Sequence, residues 1–262
     1  MKIARFSWRD QIRWGVVQGE MLYALEGSLW QDMRPGPALC PVSEVRLLAP
    51  LEPTNKVIGC GLTFRRMWER YQFHNGPQHR DGPAIFMKQP TTNIGPLDPI
   101  VYPEVAEQVI YEAEVGVVLG RKAKNVSADK ALEYVGGYTC VNDVTANAMK
   151  TTELPIVSTR FKLFDTFCPI GPVIETDLDP CNAEIICRIN GREVMRGNTR
   201  DLVISIAEQI AWVSTVMTLY PGDIICTGSP AVGPIRVGDM VEVEVEGIGV
   251  LRNPVVVDDH DL

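Results

Sequence analysis

The sequence lacks the features that mark several common protein classes. None of the seven cysteines is paired in a C-x-x-C motif, and only three histidines are present, so a zinc site is not expected. Aromatic residues make up 7% of the 262 residues, and no apolar run is long enough to cross a membrane. Neither a G-x-G-x-x-G fingerprint nor a Walker loop occurs, so no motif favours nucleotide binding.

Basic residues are also in the minority. Lys plus Arg number 25 against 33 for Asp plus Glu, a formal net charge of −8, and the basic residues form no block. This balance predicts neither a nucleic-acid nor a membrane partner, but it allows a small anionic substrate beside a bound cation. The first ten residues lack the apolar stretch of a secretion signal, and the scattered cysteines are typical of buried free thiols. We therefore expect a cytoplasmic protein.

Short strand patterns dominate the chain. Asn190-Gly191, between two apolar segments, predicts a β-hairpin because this pair tolerates the positive φ angles of a tight turn. Only residues 201–219 have the apolar spacing of a long amphipathic helix. The polar residues 63–81 predict a loop or short helix, either of the kind that closes over a site or, as composition alone favours, a solvated surface loop. The proline-rich residues 35–41 predict a linker.

The residue pattern changes near Lys56, which indicates a domain boundary. A buried strand pattern ending in a glycine turn begins there, after the predicted linker. We therefore predict a small N-terminal β-containing domain over residues 1–52 and a larger domain over residues 53–262. Because strands outnumber helices and the two do not alternate regularly, the fold class predicted is strand-rich α+β with a mixed sheet.

Three acidic residues lie at positions suited to a metal ion. Glu112 and Glu114 are two residues apart in a run that stays apolar through Leu119, so a strand there points both carboxylates to one face. Asp143 ends the next apolar strand. Carboxylates that lie close together away from water repel each other unless a cation neutralises them. A ligand set of oxygens without His or thiolate suits Mg²⁺, Mn²⁺ or Ca²⁺. The alternative is ordinary surface charge, since Glu-x-Glu is common on strands.

Two further segments carry groups suited to an anion. Lys162 lies among aromatic neighbours, where it is either a surface lysine or a cation that holds a carboxylate or an enolate oxygen. The segment Thr227-Gly228-Ser229-Pro230 follows a strand pattern. It is either a simple turn or one whose N–H groups and hydroxyls bind an anion.

Taken in order, these segments resemble a known family. The matching segments are Phe86-Met87-Lys88, Tyr111-Glu112-Ala113-Glu114, Gly136-Gly137-Tyr138, Asn142-Asp143-Val144, the six residues from Lys162 to Phe167, and the ten from Pro221 to Pro230. From about Lys56 to Asn253 the chain is similar to the fumarylacetoacetate hydrolase family, and the preceding residues resemble that family's small leading domain.

The resemblance implies a fold, a cofactor and a reaction type. It implies a mixed β-sheet roll of the family's C-terminal type, usually in a homodimer, with Mg²⁺ or Mn²⁺ on Glu112, Glu114 and Asp143. A 2-oxo acid would bind the ion through its carboxylate and keto oxygen. Lys162 would stabilise the enolate charge, and Thr227, with Gly228, would contact the substrate.

The chain departs from the family pattern at the water-activating pair. Members that cleave acylpyruvates carry a His and, three residues later, a Glu, and these positions are Met67 and Arg70 here. A thioether takes no proton, so the usual general base is missing. Glu69, His74 or His79 of the same loop could replace it.

The positions that recognise the substrate also differ. Asn147 and Lys150 stand where the resemblance implies Arg and Gln, so Lys150 is a candidate substrate-binding residue. Arg70, with Arg65 and Arg66, brings cations to the loop, which either suit a more anionic substrate or are simply solvated.

Three hypotheses follow. The first is decarboxylation or keto–enol tautomerisation of a 2-oxo acid, which needs only the metal and Lys162 as electron sink. The second is acylpyruvate-type C–C hydrolysis with a replacement base from residues 63–81. The third is a catalytically silent binding protein, which the retained metal residues and Lys162 disfavour.

Overall fold

The computed structural model describes residues 1–75, 82–150 and 159–258, and only the backbone of residues 74 and 75. The strands of these residues are β1 (Lys2–Trp8), β2 (Gln11–Gln18), β3 (Met21–Glu26), β4 (Arg34–Pro41), β5 (Arg46–Leu48), β6 (Val57–Gly61), β7 (Ala84–Lys88), β8 (Asn93–Ile94), β9 (Ile100–Tyr102), β10 (Ala106–Leu119), β11 (Val135–Asn142), β12 (Thr145–Met149), β13 (Cys168–Glu175), β14 (Glu184–Ile189), β15 (Arg192–Asn198), β16 (Ile224–Cys226), β17 (Val232–Ile235), β18 (Met240–Val245) and β19 (Gly249–Val257). The α-helices are α1 (Arg65–Asn75), α2 (Ala128–Ala131) and α3 (Ile206–Val216). Among the described residues, no helix combines the length and apolar character that a membrane span requires.

The strands form two sheets around one long central strand. Fourteen strands make the larger sheet, with the order β4-β3-β2-β1-β13-β11-β10-β16-β6-β7, to which β5, β8, β12 and β17 add. Five strands make the smaller sheet, β15-β14-β18-β19-β9. Most neighbours are antiparallel, but β6 and β16 run parallel. This architecture confirms the prediction of a strand-rich α+β fold with mixed sheets.

The strand β10 positions the core. It is 14 residues long, and every residue from Ala113 to Leu119 is buried because both faces of the strand are covered. The sheets pack together where β11 and β13 contact β18 and β19. A continuous apolar run is the pattern of such a doubly covered strand.

The local predictions had mixed outcomes. The hairpin is confirmed: Asn190 and Gly191 connect β14 to β15 with φ angles of 53° and 77°. The helix predicted over residues 201–219 is shorter, because Ser205 caps α3 by accepting a hydrogen bond from the Glu208 N–H while the Glu208 side chain accepts one from the Ser205 N–H. Within residues 63–81, a short helix, α1, is one of the two predicted outcomes.

The linker predicted over residues 35–41 was wrong. These residues lie in β4, which pairs with β3 at the end of the larger sheet. Proline lacks the N–H of a ladder hydrogen bond, but an edge strand tolerates that loss. The proline content therefore reflects the position of the strand at a sheet edge.

The first strands of the chain join the larger sheet directly. β1 pairs with β13, with Lys2 opposite Glu175 and Ile3 opposite Ile174. The amino group of Met1 lies 2.6 Å from Glu175 Oε1. The division at residue 52 stays a prediction, although β1 to β5 are hydrogen-bonded into the same sheet as β10.

Candidate metal and substrate site

The register of two neighbouring strands brings the three acidic residues together. Glu112 and Glu114 lie on one face of β10, and β11 runs antiparallel to it with Asn142 opposite Ala113. Asp143 follows β11 immediately, and its N–H donates to the Glu112 carbonyl oxygen at 2.9 Å. As a result, one oxygen of each carboxylate lies within 4.8 Å of an oxygen of each of the other two.

Lys162 is the first cation at this cluster. It ends the short 3₁₀ helix Arg160–Lys162, and its Nζ lies 2.7 Å from Glu112 Oε1 and 2.5 Å from Asp143 Oδ2. The ammonium also lies 4.7 Å from the centroid of the Phe86 ring, a cation–π distance. The side chain is buried, so the surface-lysine alternative does not apply.

Lys88 is the second cation. It was quoted in a segment that resembles the family, but no role at the site was predicted for it from the sequence. It ends β7, and its side chain is completely buried. Its Nζ lies 2.8 Å from Asp143 Oδ1 and donates to the Val144 carbonyl oxygen at 3.1 Å. The sequence offers two signals, a lysine at the end of an apolar strand and its place in the segment Phe86-Met87-Lys88, and neither indicates which carboxylate the lysine contacts.

The predicted anion-binding turn contacts a carboxylate of the protein itself. The N–H of Gly228 donates to Glu114 Oε2 at 2.8 Å. Gly228 has a φ of +88°, and a Cβ there would lie 2.1 Å from Thr63 Oγ1, so only glycine brings the backbone so close. The hydroxyl of Thr227 is buried and donates to the Val115 carbonyl oxygen at 3.0 Å.

Hydrogen bonds from polar residues complete the cluster. The Thr145 hydroxyl donates to Glu112 Oε1 at 2.6 Å. The Glu112 N–H donates to Asn142 Oδ1 at 3.1 Å. Thr145 and Asn142 were not predicted as site residues, although both flank Asp143 in the sequence.

The electrostatics of the three carboxylates differ. Burial raises the pKa of Glu114 well above its usual value, and the charges of Asp143 and Glu112 raise it further. Burial also acts to raise the pKa of Asp143, but Lys162 and Lys88 hold it below its usual value. Among the described residues, Glu114 forms no ion pair with either lysine. Hard oxygen donors around an uncompensated buried carboxylate fit a divalent cation such as Mg²⁺ or Mn²⁺.

A cavity of about 540 Å³ opens above the cluster. The carboxylates, Lys162 and Phe86 line its inner part, and Gly228 and Ser229 line one side. From α1, half-buried Met67 and exposed Arg70 face the same cavity. Its volume is within the range of small-molecule sites.

Other predicted residues lie elsewhere. Lys150 lines a separate cavity of about 280 Å³ beside Tyr102 and Glu104. Glu69 is exposed and is not among the described residues that line the metal cavity. The backbone of His74 belongs to α1 but its side chain is outside the described part of the chain, as is all of His79.

Comparison with known proteins identifies the family. The model of the fumarylacetoacetate (FAA) hydrolase C-terminal domain matches residues 56–256, and an Rv2993c-like N-terminal model matches residues 1–50. The chain belongs to the fumarylacetoacetate hydrolase family. The resemblance stated from the motifs is therefore confirmed.

Several relatives have named activities. The human mitochondrial oxaloacetate tautomerase FAHD2A is 38% identical over 227 residues, which cover 82% of this chain and 71% of the human protein. The crystal structure of 5-carboxymethyl-2-hydroxymuconate delta-isomerase from Mycobacterium smegmatis is 37% identical, with a TM-score of 0.84 and coverage of 98% and 100% of the two chains. Maleylpyruvate hydrolase from Sphingobium sp. SYK-6, solved with manganese(II) and pyruvate, is 28% identical, with a TM-score of 0.78 and coverage of 99% and 100%. Family members thus include a tautomerase, an isomerase and a hydrolase.

Proposed function

We propose that this protein is a divalent-metal-dependent tautomerase that interconverts the keto and enol forms of a 2-oxo diacid. One observation carries the proposal: the cavity combines the carboxylate cluster and Lys162 with Met67 at the water-activating position. Apart from the three carboxylates and Lys162, the ionisable groups among the described lining residues are Arg70 and Cys60, and burial raises the pKa of the Cys60 thiol. Neither suits activation of an attacking water. Tautomerisation consumes no water, and the proton that leaves C3 on enolisation, or returns to it on ketonisation, would be exchanged with solvent water in the cavity.

Glu112, Glu114 and Asp143 would hold the metal ion. When bound, the ion supplies Lewis-acid polarisation of the carboxylate and keto oxygens of a 2-oxo acid. Glu114 has the strongest need for such a partner, because it is buried beside two other carboxylates. Asp143 and Glu112 each share their charge with Lys162.

Lys162 would stabilise charge on the substrate oxygen. Burial lowers the pKa of this lysine, but Asp143 and Glu112 outweigh the effect and raise it above its usual value. The side chain therefore stays protonated at neutral pH and acts as a hydrogen-bond donor. A fixed ammonium in a dry cavity stabilises a developing oxyanion more strongly than water does.

Arg70 would recognise the second carboxylate of the substrate. It lines the cavity from α1 and is exposed. Apart from Lys162, it is the cation among the described lining residues. A substrate with one carboxylate at the cluster and a second near the rim would fit this distribution of charge.

The relatives support a proton-transfer reaction. The human relative is an oxaloacetate tautomerase, and oxaloacetate is a 2-oxo diacid with an acidic C3 proton. The mycobacterial structure is that of an isomerase. Because decarboxylation would use the same metal and lysine, the test must separate the two reactions.

The proposal is tested with oxaloacetate in the presence of Mg²⁺ or Mn²⁺. We expect the protein to accelerate the decay of the enol absorbance without producing pyruvate and CO₂. Glu114→Gln and Lys162→Met should each lower the acceleration at least about 100-fold, whereas Met67→Ala should preserve it.

Two other outcomes would replace the proposal. Stoichiometric CO₂ and pyruvate would make the protein a decarboxylase. Conversion of acetylpyruvate and water to acetate and pyruvate would favour the hydrolase hypothesis, as would loss of that activity in Glu69→Gln or His74→Ala.

A further inference from the structure

Lys88 contacts Asp143 from the side that faces away from the cavity. We propose that Lys88 is a positioning residue that restricts Asp143 to one oxygen ligand and so disfavours Ca²⁺ relative to Mg²⁺ and Mn²⁺. The inference rests on the metal site of the proposed function and adds the basis of its ion selectivity.

The two lysines at Asp143 occupy different positions. Lys162 Nζ contacts Oδ2 and lines the cavity, so a cation entering the cavity can take its place at that oxygen. Lys88 Nζ contacts Oδ1, and Lys88 is not among the described residues that line the cavity. Its contact with Oδ1 is an ion pair, its side chain is completely buried, and its hydrogen bond to the Val144 carbonyl oxygen holds it in place. Oδ1 is therefore occupied from behind, and Oδ2 is the oxygen left for an ion.

The other two carboxylates also have one oxygen engaged by a protein donor, although these donors line the cavity. The Gly228 N–H engages Glu114 Oε2, and the Thr145 hydroxyl engages Glu112 Oε1. Apart from the contacts of Lys162, which an ion entering the cavity can replace, each candidate ligand thus has one oxygen engaged by a group of the protein. The pattern favours one ligand oxygen from each carboxylate.

The number of ligand oxygens distinguishes the ions. Ca²⁺ takes six to eight oxygens and often binds a carboxylate through both of its oxygens, whereas Mg²⁺ requires near-ideal octahedral geometry and keeps several waters. If each carboxylate offers one oxygen, Ca²⁺ has fewer ligand oxygens than it prefers, and its affinity is lowered. The affinity for Mg²⁺ is not lowered in this way. The same holds for Mn²⁺, which has a similar preference for octahedral oxygen ligands.

The ratio of two dissociation constants isolates this effect from charge. Removing a lysine changes the electrostatic attraction for any divalent cation in the same direction and by a similar amount. The ratio of the Kd for Ca²⁺ to the Kd for Mg²⁺ therefore cancels most of the charge effect. What remains is the change in ligand oxygens.

The experiment is calorimetric titration of the full chain with Mg²⁺, Mn²⁺ and Ca²⁺ separately. Lys88→Met should lower the Ca²⁺-to-Mg²⁺ ratio of Kd values about tenfold, because Oδ1 becomes available; outer ligand partners typically change metal affinity 10- to 100-fold. Lys162→Met is the matched control, since it removes the same charge from the same carboxylate but leaves Oδ1 with Lys88. Its ratio should stay near that of the unaltered protein.

The outcomes separate the inference from the proposed function. If the unaltered protein binds none of these ions, both fail. If it binds Mg²⁺ or Mn²⁺ but folded Lys88→Met keeps the ratio, or Lys162→Met shifts it equally, only the role of Lys88 fails.

A second variant covers the case in which Lys88→Met does not fold. Glu112 Oε1 has two donors, Thr145 and Lys162. Thr145→Val, made in the Lys162→Met background and compared with Lys162→Met alone, keeps the side-chain shape and leaves that oxygen without either donor. A smaller shift of the ratio toward Ca²⁺ would support the inference, and an unchanged ratio would overturn it. Thermal unfolding without metal reports whether each variant is folded.

Discussion

The floor and the rim of the cavity are built in opposite ways. We call the floor the charged residues on and beside the central strands β10 and β11, namely Glu112, Glu114, Asp143 and Lys162. Each of them has a fixed partner in the protein. The rim on the α1 side carries half-buried Met67 and exposed Arg70. The difference indicates that the floor determines which reaction the site can catalyse, and that the rim determines which substrate binds there.

The physical reason lies in the cost of an unpaired buried group. Removing one member of a buried ion pair leaves its partner uncompensated, which costs several kcal/mol, about 3–5 in measured cases. An exposed rim residue has water as an alternative partner. The floor therefore resists substitution, whereas Met67 and Arg70 can replace a water-activating pair without disturbing the fold.

The largest expected effect comes from the floor, at Glu114. Glu114→Gln removes one metal ligand, so metal affinity and turnover should each fall more than about 100-fold, beyond the range for outer ligand partners. Without metal, the same variant should unfold at a higher temperature than the unaltered protein, because it removes a buried charge beside two others. Calorimetry with Mn²⁺ and thermal unfolding with and without metal measure both effects; retained Mn²⁺ affinity would refute the ligand role.

The next effect separates two functions within the floor. Lys162→Met should lower kcat about 10²- to 10³-fold, the loss expected for one donor to a developing oxyanion. Metal affinity should not fall, since the lysine competes with the ion for Asp143 Oδ2. Equal losses of metal binding and turnover would mean that Lys162 only supports the cluster.

A smaller effect is expected at the rim. Arg70→Gln should raise the KM for oxaloacetate about fivefold, since an exposed charge pair contributes up to about 1 kcal/mol. The rate of C3 proton exchange in 2-oxobutyrate, which has a single carboxylate, should not change. If both substrates are affected equally, Arg70 does not recognise a second carboxylate.

The smallest effect is expected at Met67. Met67→Ala should change the turnover of oxaloacetate by less than about twofold, since a thioether transfers no proton. The same assay as above measures it, with Glu114→Gln as the inactive reference. A large loss of turnover in Met67→Ala would mean that the rim, like the floor, takes part in the reaction.

Strand periodicity predicted much of the floor from the sequence. The two-residue spacing of Glu112 and Glu114 and the strand end at Asp143 indicated a shared carboxylate cluster, and these oxygens do lie together. Lys88 could not be predicted, because its contact with Asp143 depends on the packing of β7 beside β6, far along the sheet from β11. Contacts between strands distant in sequence leave no local pattern.

The turn at residues 227–230 shows where such reasoning falls short. A turn rich in N–H groups and hydroxyls predicted binding of an anion, but a sequence does not reveal which anion is nearest. In the structure Gly228 binds Glu114, and the hydroxyl of Thr227 points to a backbone carbonyl. The positions of the rim residues could not be predicted either, because the sequence did not decide between a loop and a helix there.

The prolines of β4 bear on how copies of the chain can associate. An unpaired strand edge is a template for a strand of another molecule, and proteins often protect such edges with proline. Pro35, Pro37 and Pro41 remove three N–H groups from the strand that ends the larger sheet. Continuation of the sheet into a neighbouring molecule through β4 is thereby disfavoured. The predicted homodimer is therefore not expected to form by pairing of β4 with a strand of the other copy.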